Sequence, residues 1–407
     1  MLQRKAPARS ASGGPAIAVF GIAVSALTAA LLLACAALAP ALVRLEHFAA
    51  DARTALLADR SPRPHRDIVV VSVDEEALAR FAGHNYRSPT DRAVLAQLVR
   101  VVDHAGPRAI GIDFLFDRPT EPAKDDALAL ALRDTRSRVV LGAADERAGL
   151  NPTQRAWQTA FLTKTGREAG HLSLTYDRDG IVRYVSRPAR GGLYPASFAE
   201  LLARDVPTPQ EASLRPPVKP ITADDYRNHR IAWLKVDGQP LEAAFRAIPA
   251  LALLNADAAG NRAVLTALGT LLRDRVVLIG GDFPDLDRHQ TPLSAVGAPK
   301  LPGVQLHAHM VAQIIDRRAI THAPPAAEPI IVFGLTLLGF FVGARWNVER
   351  FVYGIGVTML VLADAAVFLG FRTIMPFTLP LFGWLAGAWL GRNADLFLRR
   401  RRRIASA

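Results

Sequence analysis

Four stretches without a charged side chain, one near the amino end and three crowded towards the carboxyl end, constrain this chain more than any other feature. Pro15 to Val43 holds no charge, and Ile17–Leu42 is an almost continuous apolar run. The others are Pro329–Ala344, Phe351–Phe371 broken only by Asp364, and Thr373–Gly391. At a rise of about 1.5 Å per residue, such runs match the hydrocarbon layer of a bilayer, which predicts transmembrane helices over 15–43, 327–345, 351–371 and 373–391. The second has only sixteen residues between Glu328 and Arg345, so it relies on snorkelling flanks or a locally thinned bilayer.

The charges flank these runs on one side. Arg4, Lys5 and Arg9 precede the first, Arg345 and Arg350 separate the second from the third, and Arg392 with Arg399–Arg403 follow the fourth. Short basic loops stay in the cytoplasm, so the expectation is a multi-pass inner-membrane protein with both termini cytoplasmic and residues 44–326 in the periplasm. Segments 1–14 and 392–407 are then a cytoplasmic N-terminus and a basic tail. Trp346, Trp384 and Trp389 fall near span ends, as an interfacial belt would place them.

A net charge of +12 would otherwise invite a nucleic-acid reading. Eleven basic residues on the cytoplasmic flanks, against Glu349 and Asp395 alone, supply nine of those twelve charges. The remainder is nearly balanced, so no nucleic-acid partner is expected. Arg399, Arg400, Arg401, Arg402 and Arg403 suit anionic membrane lipid, at about 1 kcal/mol per charge. The sharper reading of that cluster is docking of a separate cytoplasmic cyclase or kinase.

Cys35 is the one cysteine. Cleavage of a signal peptide at Ala37-Leu38-Ala39 would leave Pro40 after the cut, and lipidation at Cys35 conflicts with the apolar residues that continue to Val43. Cys35 therefore reads as a small membrane-embedded residue, and the outer segment contains no cysteine.

The outer segment reads as α/β. Asp67–Asp74 is a β-branched run that leads into Glu75-Glu76, Ala109–Phe116 is a second apolar run, and Arg138–Gly142 a third. Asp91–Asp103 and Asp125–Thr135 carry apolar residues at helical spacing between them, the alternation of a mostly parallel sheet with right-handed crossovers. His171–Val185 reads as a hairpin around Asp177-Arg178-Asp179-Gly180. Val206–Pro220 reads as an irregular insertion, Arg273–Gly281 as another buried strand, and Val304–Arg317 as a helix.

These strings carry a resemblance. IVVVSVDEEAL at 68–78, AIGIDFLFDRP at 109–119 with Asp125-Asp126, Asp179-Gly180 with Arg183, and VVLIGG at 276–281 followed by Asp287, Thr291-Pro292, Pro302-Gly303-Val304 and His307-Ala308 look like the CHASE type-2 extracellular sensory domain. The resemblance covers about residues 45–320 and implies a bacterial transmembrane receptor with one span before the sensor and three after it. The chain departs from the family pattern at His84-Asn85-Tyr86-Arg87-Ser88-Pro89, where an aromatic-proline motif is usual, and at Asp282-Phe283-Pro284, where small residues are usual. Only Arg392–Ala407 follow the last span, so the resemblance implies sensing without an attached cyclase, kinase or phosphatase.

Asp74, Asp113 and Asp282 fall at predicted strand ends, the edge where open parallel sheets place ligands. Together they suit a cation or a cationic or hydroxyl-rich ligand; alternatively they cap helices or pair with arginines. Asp113 sits inside an apolar run and is the costliest of the three to bury. His307 joins them as a ligand candidate, against a capping or core-edge role. Asp285, Asp287, His289, His307 and His309 tempt as a metal set, but two residues apart on a helix point about 200° apart. No metal or cofactor is expected. Gly280-Gly281 lacks a following phosphate-loop lysine, and no nucleophile elbow appears.

Asp364 is an acid inside a span and a functional candidate by default, for coupling the helices or joining copies into a homo-oligomer; the bland reading is a protonated acid hydrogen-bonded in the bundle. The expectation is a membrane sensor of an unidentified small-molecule signal. Its rivals are a metal-assisted extracytoplasmic enzyme and a scaffold protein with no ligand.

Overall fold

Continuous β-branched runs become buried parallel strands because helices cover both faces of such a sheet and leave no polar side. The computed structural model of the chain describes residues 14–82, 88–204, 206–207, 229–345 and 351–405, and divides into two units, Thr54–Ile320 and Met1–Arg53 with Thr321–Ala407. Arg4, Lys5, Arg9, His84 to Arg87, Trp346, Glu349, Arg350 and most of Val206–Pro220 lie outside the described residues, as do the side chains of Asp395 and Arg399–Arg403.

The unit Thr54–Ile320 is built on six strands: β1 (Ile68–Val73), β2 (Ala109–Asp113), β3 (Arg138–Ala143), β4 (Glu168–His171), β5 (Arg246–Pro249) and β6 (Val276–Gly281). Their order across the sheet is β4-β3-β2-β6-β1-β5, and every pair is parallel. Ile279 of β6 stands opposite Val71 of β1 and Ile112 of β2. Alternation sends Val69, Val71, Ile110, Ile112, Val277 and Ile279 into one core and Ile68, Val70, Ala109, Val276 and Leu278 into the other. Each of the buried valine, isoleucine and leucine side chains is worth about 1.5–3 kcal/mol.

The first core is closed by the helices Arg92–His104 and Pro122–Asp134. Asp91 caps the former through the Ala93 and Val94 amides, at 2.9 and 3.0 Å, and Val94, Leu95, Leu98 and Val102 form its buried face as their spacing predicts. The second core is closed by Phe198–Ala203 and Gly303–Ile315. Gly303–Ile315 is buried on nearly every side, and Gly280 permits its approach, since a Cβ there would lie 2.6 Å from Val304. The hairpin forms as Thr175–Tyr176 against Val182–Tyr184.

In the other unit, Gly14–Leu38 is one helix, and Pro40, which has no amide proton to donate, opens a separate helix Pro40–Leu56. The span expected over 15–43 thus stops at Leu38. Among the described residues three helices are long and apolar enough to cross a membrane: Ala18–Leu38, Ala327–Arg345 and Tyr353–Phe371. The fourth expected span, 373–391, takes a different form. Thr373–Ile374 pairs in parallel with Thr321–His322, and the helix begins only at Thr378. Its apolar portion up to Gly391 then covers about 21 Å, short of the ~30 Å hydrocarbon core, before Arg392 interrupts it. Glu46 caps this helix, its carboxylate accepting from the Phe377 amide at 3.1 Å and the Thr378 amide at 2.7 Å.

Ala327–Arg345 and Thr378–Ala405 meet along a seam of glycines. A Cβ at Gly387 would fall on the Thr336 carbonyl oxygen, one at Gly391 on that of Phe340, and one at Gly343 on that of Ala388. Gly339 and Gly343 on one helix, and Gly387 and Gly391 on the other, are each four apart and let backbone touch backbone.

Candidate functional site

Asp113 closes β2 on the face that meets Gly303–Ile315, and its side chain is 6% exposed. Its Oδ1 lies 4.0 Å from His307 Nε2, and its Oδ2 has no hydrogen-bond partner. His307 is equally buried, stands edge-on to Phe198 with ring centroids 5.4 Å apart, and leaves Nδ1 without a partner of proper geometry. Asp287 completes the cluster. It sits in a left-handed conformation at φ 55°, and a Cβ at Gly303 would collide with its carboxylate, so glycine at the helix start makes room for it.

A short relay runs outward from there. His289 Nε2 donates to Asp287 Oδ1 at 2.8 Å, because a carboxylate only accepts; Nδ1 is then the acceptor for the Tyr176 hydroxyl, also at 2.8 Å. Asp113 and His307 are thus enclosed, while Asp287, half exposed, faces solvent.

Burial pushes the Asp113 carboxyl well above the usual carboxylate range, and the neighbouring Asp287 adds to the rise. Burial also pushes the His307 imidazole down to about 4. Burial acts to raise Asp287, but the His289 hydrogen bond and the nearby His289 and His307 rings outweigh it and hold the group below its ordinary value. Burial thus favours the neutral forms of Asp113 and His307, while the neighbours of Asp287 favour its anion. The site can donate from Asp113, donate or accept at His307, and accept at Asp287, a set suited to a polar, hydroxyl-bearing molecule.

The other strand-end acids are engaged elsewhere. Asp74 caps the helix Glu75–Phe81 through the Ala77 amide at 2.8 Å, and Asp282 pairs with Arg288 at 2.5 Å. Neither joins Asp113, because each is claimed by its own loop. His309 faces a different environment from His307, edge-on to Trp233 and Phe245 at 5.0 and 4.8 Å, as their helical spacing requires. Among the described residues no group of three His, Cys, Asp or Glu side chains is arranged to hold a metal ion. In the sequence Asp287 stands out as part of the family motif and as a metal candidate and His289 only as a metal candidate, while nothing marks Tyr176.

In the other unit, Asp364 lies about two turns from the end of Phe351–Phe371 and pairs with Arg53 at 2.6 Å. Arg399–Arg403 lie on the last helix.

The buried histidines make stability pH-dependent, with a sign that follows from their lowered values. His309 is pushed down to about 3, by burial first and then by Arg318 and His65. Between about 6.5 and 3 the unfolded chain binds a proton at this position that the folded chain does not, so stability falls as pH falls, by about 1.4 kcal/mol per pH unit. His307 acts in the same direction down to about 4. Asp113 opposes it: its contribution is complete below its unfolded value and is lost as pH rises through its raised folded value. His309 is therefore the cleaner probe. His309→Gln should flatten the acid limb of denaturant unfolding, measured on the full chain in detergent from pH 7 to 4; a slope equal to wild type would sink this account.

The family model described as CHASE2 domain matches residues 27–342. No curated protein and no solved structure matches the chain significantly.

Proposed function

The chain belongs to the CHASE2 domain family, a family of sensory domains, and from that premise we propose that it is a membrane sensor whose ligand binds around Asp113, His307 and Asp287. The observation that carries this reading is the enclosed Asp113 carboxyl, with one oxygen unpartnered beside an equally buried imidazole. An unsatisfied buried acid costs stability, and a ligand that supplies its missing hydrogen bond recovers that cost. Its position at the carboxyl end of a central parallel strand is where such sheets place ligands.

The unit Thr54–Ile320 faces the periplasm, and Thr378–Ala405 completes a fourth, shorter crossing that relies on local thinning of the bilayer. Basic residues beyond the helix ends support cytoplasmic termini. Output passes to a separate cytoplasmic cyclase or kinase that docks near Arg399–Arg403. A ligand acts by binding one of two arrangements of the domain and its helices more tightly.

Two experiments test this. Alkaline phosphatase inserted in Thr54–Ile320 should be active and a fluorescent protein fused at Ala407 should fold; the reverse pattern overturns the topology. Affinity capture from membranes should recover a cyclase or kinase whose activity changes in Asp113→Asn and His307→Gln. Recovery should fall at least tenfold when Arg399–Arg403 become glutamine. Capture of no such enzyme, or activity indifferent to both site variants, would leave a scaffold instead of a sensor.

A further inference from the structure

On the opposite face of the sheet from Asp113, the first residue of the helix Arg92–His104 is a buried arginine whose guanidinium lacks close hydrogen bonds. The Arg92 side chain is 1% exposed, and Nε, Nη1 and Nη2 all lack a hydrogen-bond partner. Its guanidinium lies 4.6 Å from the centre of the Phe116 ring. The nearest carboxylate, Asp125, pairs with it at 3.6 Å, beyond hydrogen-bond reach.

The surrounding acids are committed elsewhere. Asp125 accepts from the Thr120 amide and hydroxyl, both at 2.8 Å. Asp91 accepts from Ala93, Val94 and Lys124, and Asp117 from Arg118 and Gln154. A guanidinium has five donors in a planar fork, and leaving them unmet in a buried place is expensive. Beside it opens a cleft of about 400 Å3, lined by Arg92 with Ser88, Pro89, Asp91, Thr120, Glu121 and Lys124. The helix Pro122–Asp134 begins at this cleft, and its N-cap residue Glu121 makes no side-chain capping bond.

We propose that this cleft is a second ligand site, which takes a small molecule through a carboxylate held in two parallel hydrogen bonds by Arg92. A planar carboxylate matches the guanidinium fork. The lining favours it over a phosphate dianion: Lys124 is already neutralised by Asp91 and Glu121 at 2.8 and 2.7 Å, and Asp117 and Asp125 stand behind Arg92. These carboxylates oppose a dianion more strongly than a single carboxylate, whose charge is met by the hydrogen-bonding fork of Arg92. The site is independent of the cluster around Asp113, which faces the other core.

The test is thermal unfolding of the full chain in detergent micelles, titrated with acetate, succinate and L-glutamate at fixed ionic strength, with inorganic phosphate as the comparison. At least one carboxylate should raise the midpoint saturably. Arg92→Met should weaken its apparent affinity tenfold or more, and His307→Gln should not. Should Arg92→Met fail to fold, Ser88→Tyr decides, because Ser88 is exposed at the cleft and a tyrosine there fills it without touching the buried charge. The proposal is overturned if no carboxylate gives a saturable shift, if the shift survives whichever of these two variants folds, or if phosphate produces the larger one.

Discussion

Replacing Arg53 by leucine is expected to destabilise the unit Met1–Arg53 with Thr321–Ala407 by about 3–5 kcal/mol, the cost of leaving a buried charge without its partner. The Arg53 and Asp364 side chains are 4% and 14% exposed and meet at 2.6 Å. Arg53 also donates from Nη1 to the Met375 carbonyl at 3.2 Å. With leucine in its place, Asp364 keeps the burial and loses the compensation. The pair itself is a different quantity, because taking two charges out of water offsets most of their attraction. Arg53→Met combined with Asp364→Leu should therefore recover most of what either single change loses. Unfolding in mixed micelles by a denaturing detergent measures all three. A cost below about 1 kcal/mol for Arg53→Leu would show that solvent or lipid headgroups reach Asp364.

Gly387→Leu should be at least as damaging to the same unit, by roughly 3 kcal/mol or more, through steric exclusion. A Cβ at this position would lie 2.0 Å from the Thr336 carbonyl oxygen, which belongs to helix backbone and cannot turn aside as a side chain can. The helices Ala327–Arg345 and Thr378–Ala405 would have to separate along the seam, losing contacts at Gly343 and Gly391 too. Gly334 supplies the control. Nothing lies within 4 Å of a Cβ placed there, so Gly334→Leu should stay within about 0.5 kcal/mol of wild type. Equal effects of the two substitutions in the same titration would refute the seam.

The sheet was legible where its strands are long and fully buried. Ile68–Val73, Ala109–Asp113, Arg138–Ala143 and Val276–Gly281 announce themselves as apolar runs, because covered parallel strands cannot alternate with polar residues. The edge strands were not legible: Glu168–His171 carries a charge, a glycine and a histidine, and Arg246–Pro249 ends in proline. Strand order also escapes, since a run of valines does not encode its neighbours. The start of the last helix was misjudged because Thr373 is claimed by Thr321, fifty residues away, which no local pattern reveals.

The same division holds for the site. Asp113 stood out as an acid inside an apolar strand, a conflict visible in the sequence itself. Asp287, His289 and Tyr176 come from a loop and a hairpin that only the fold brings together. Arg53 lies past the first apolar run, so nothing marked it as the partner of Asp364. Arg92 follows a capping aspartate at a helix start, a place where arginines are ordinarily solvated, and only its burial reveals it.

The position of β6 between β1 and β2 has a consequence for how the protein is made. About 160 residues separate the end of β2 from the start of β6, which is roughly 10–30 s of ribosome time at ordinary elongation rates. Throughout that interval β1 and β2 exist as nascent chain without the strand that joins them, each with an unpaired edge rich in valine and isoleucine. The keystone of the sheet is delivered late, and the cell has to keep two adhesive half-structures apart from every neighbouring copy until it arrives.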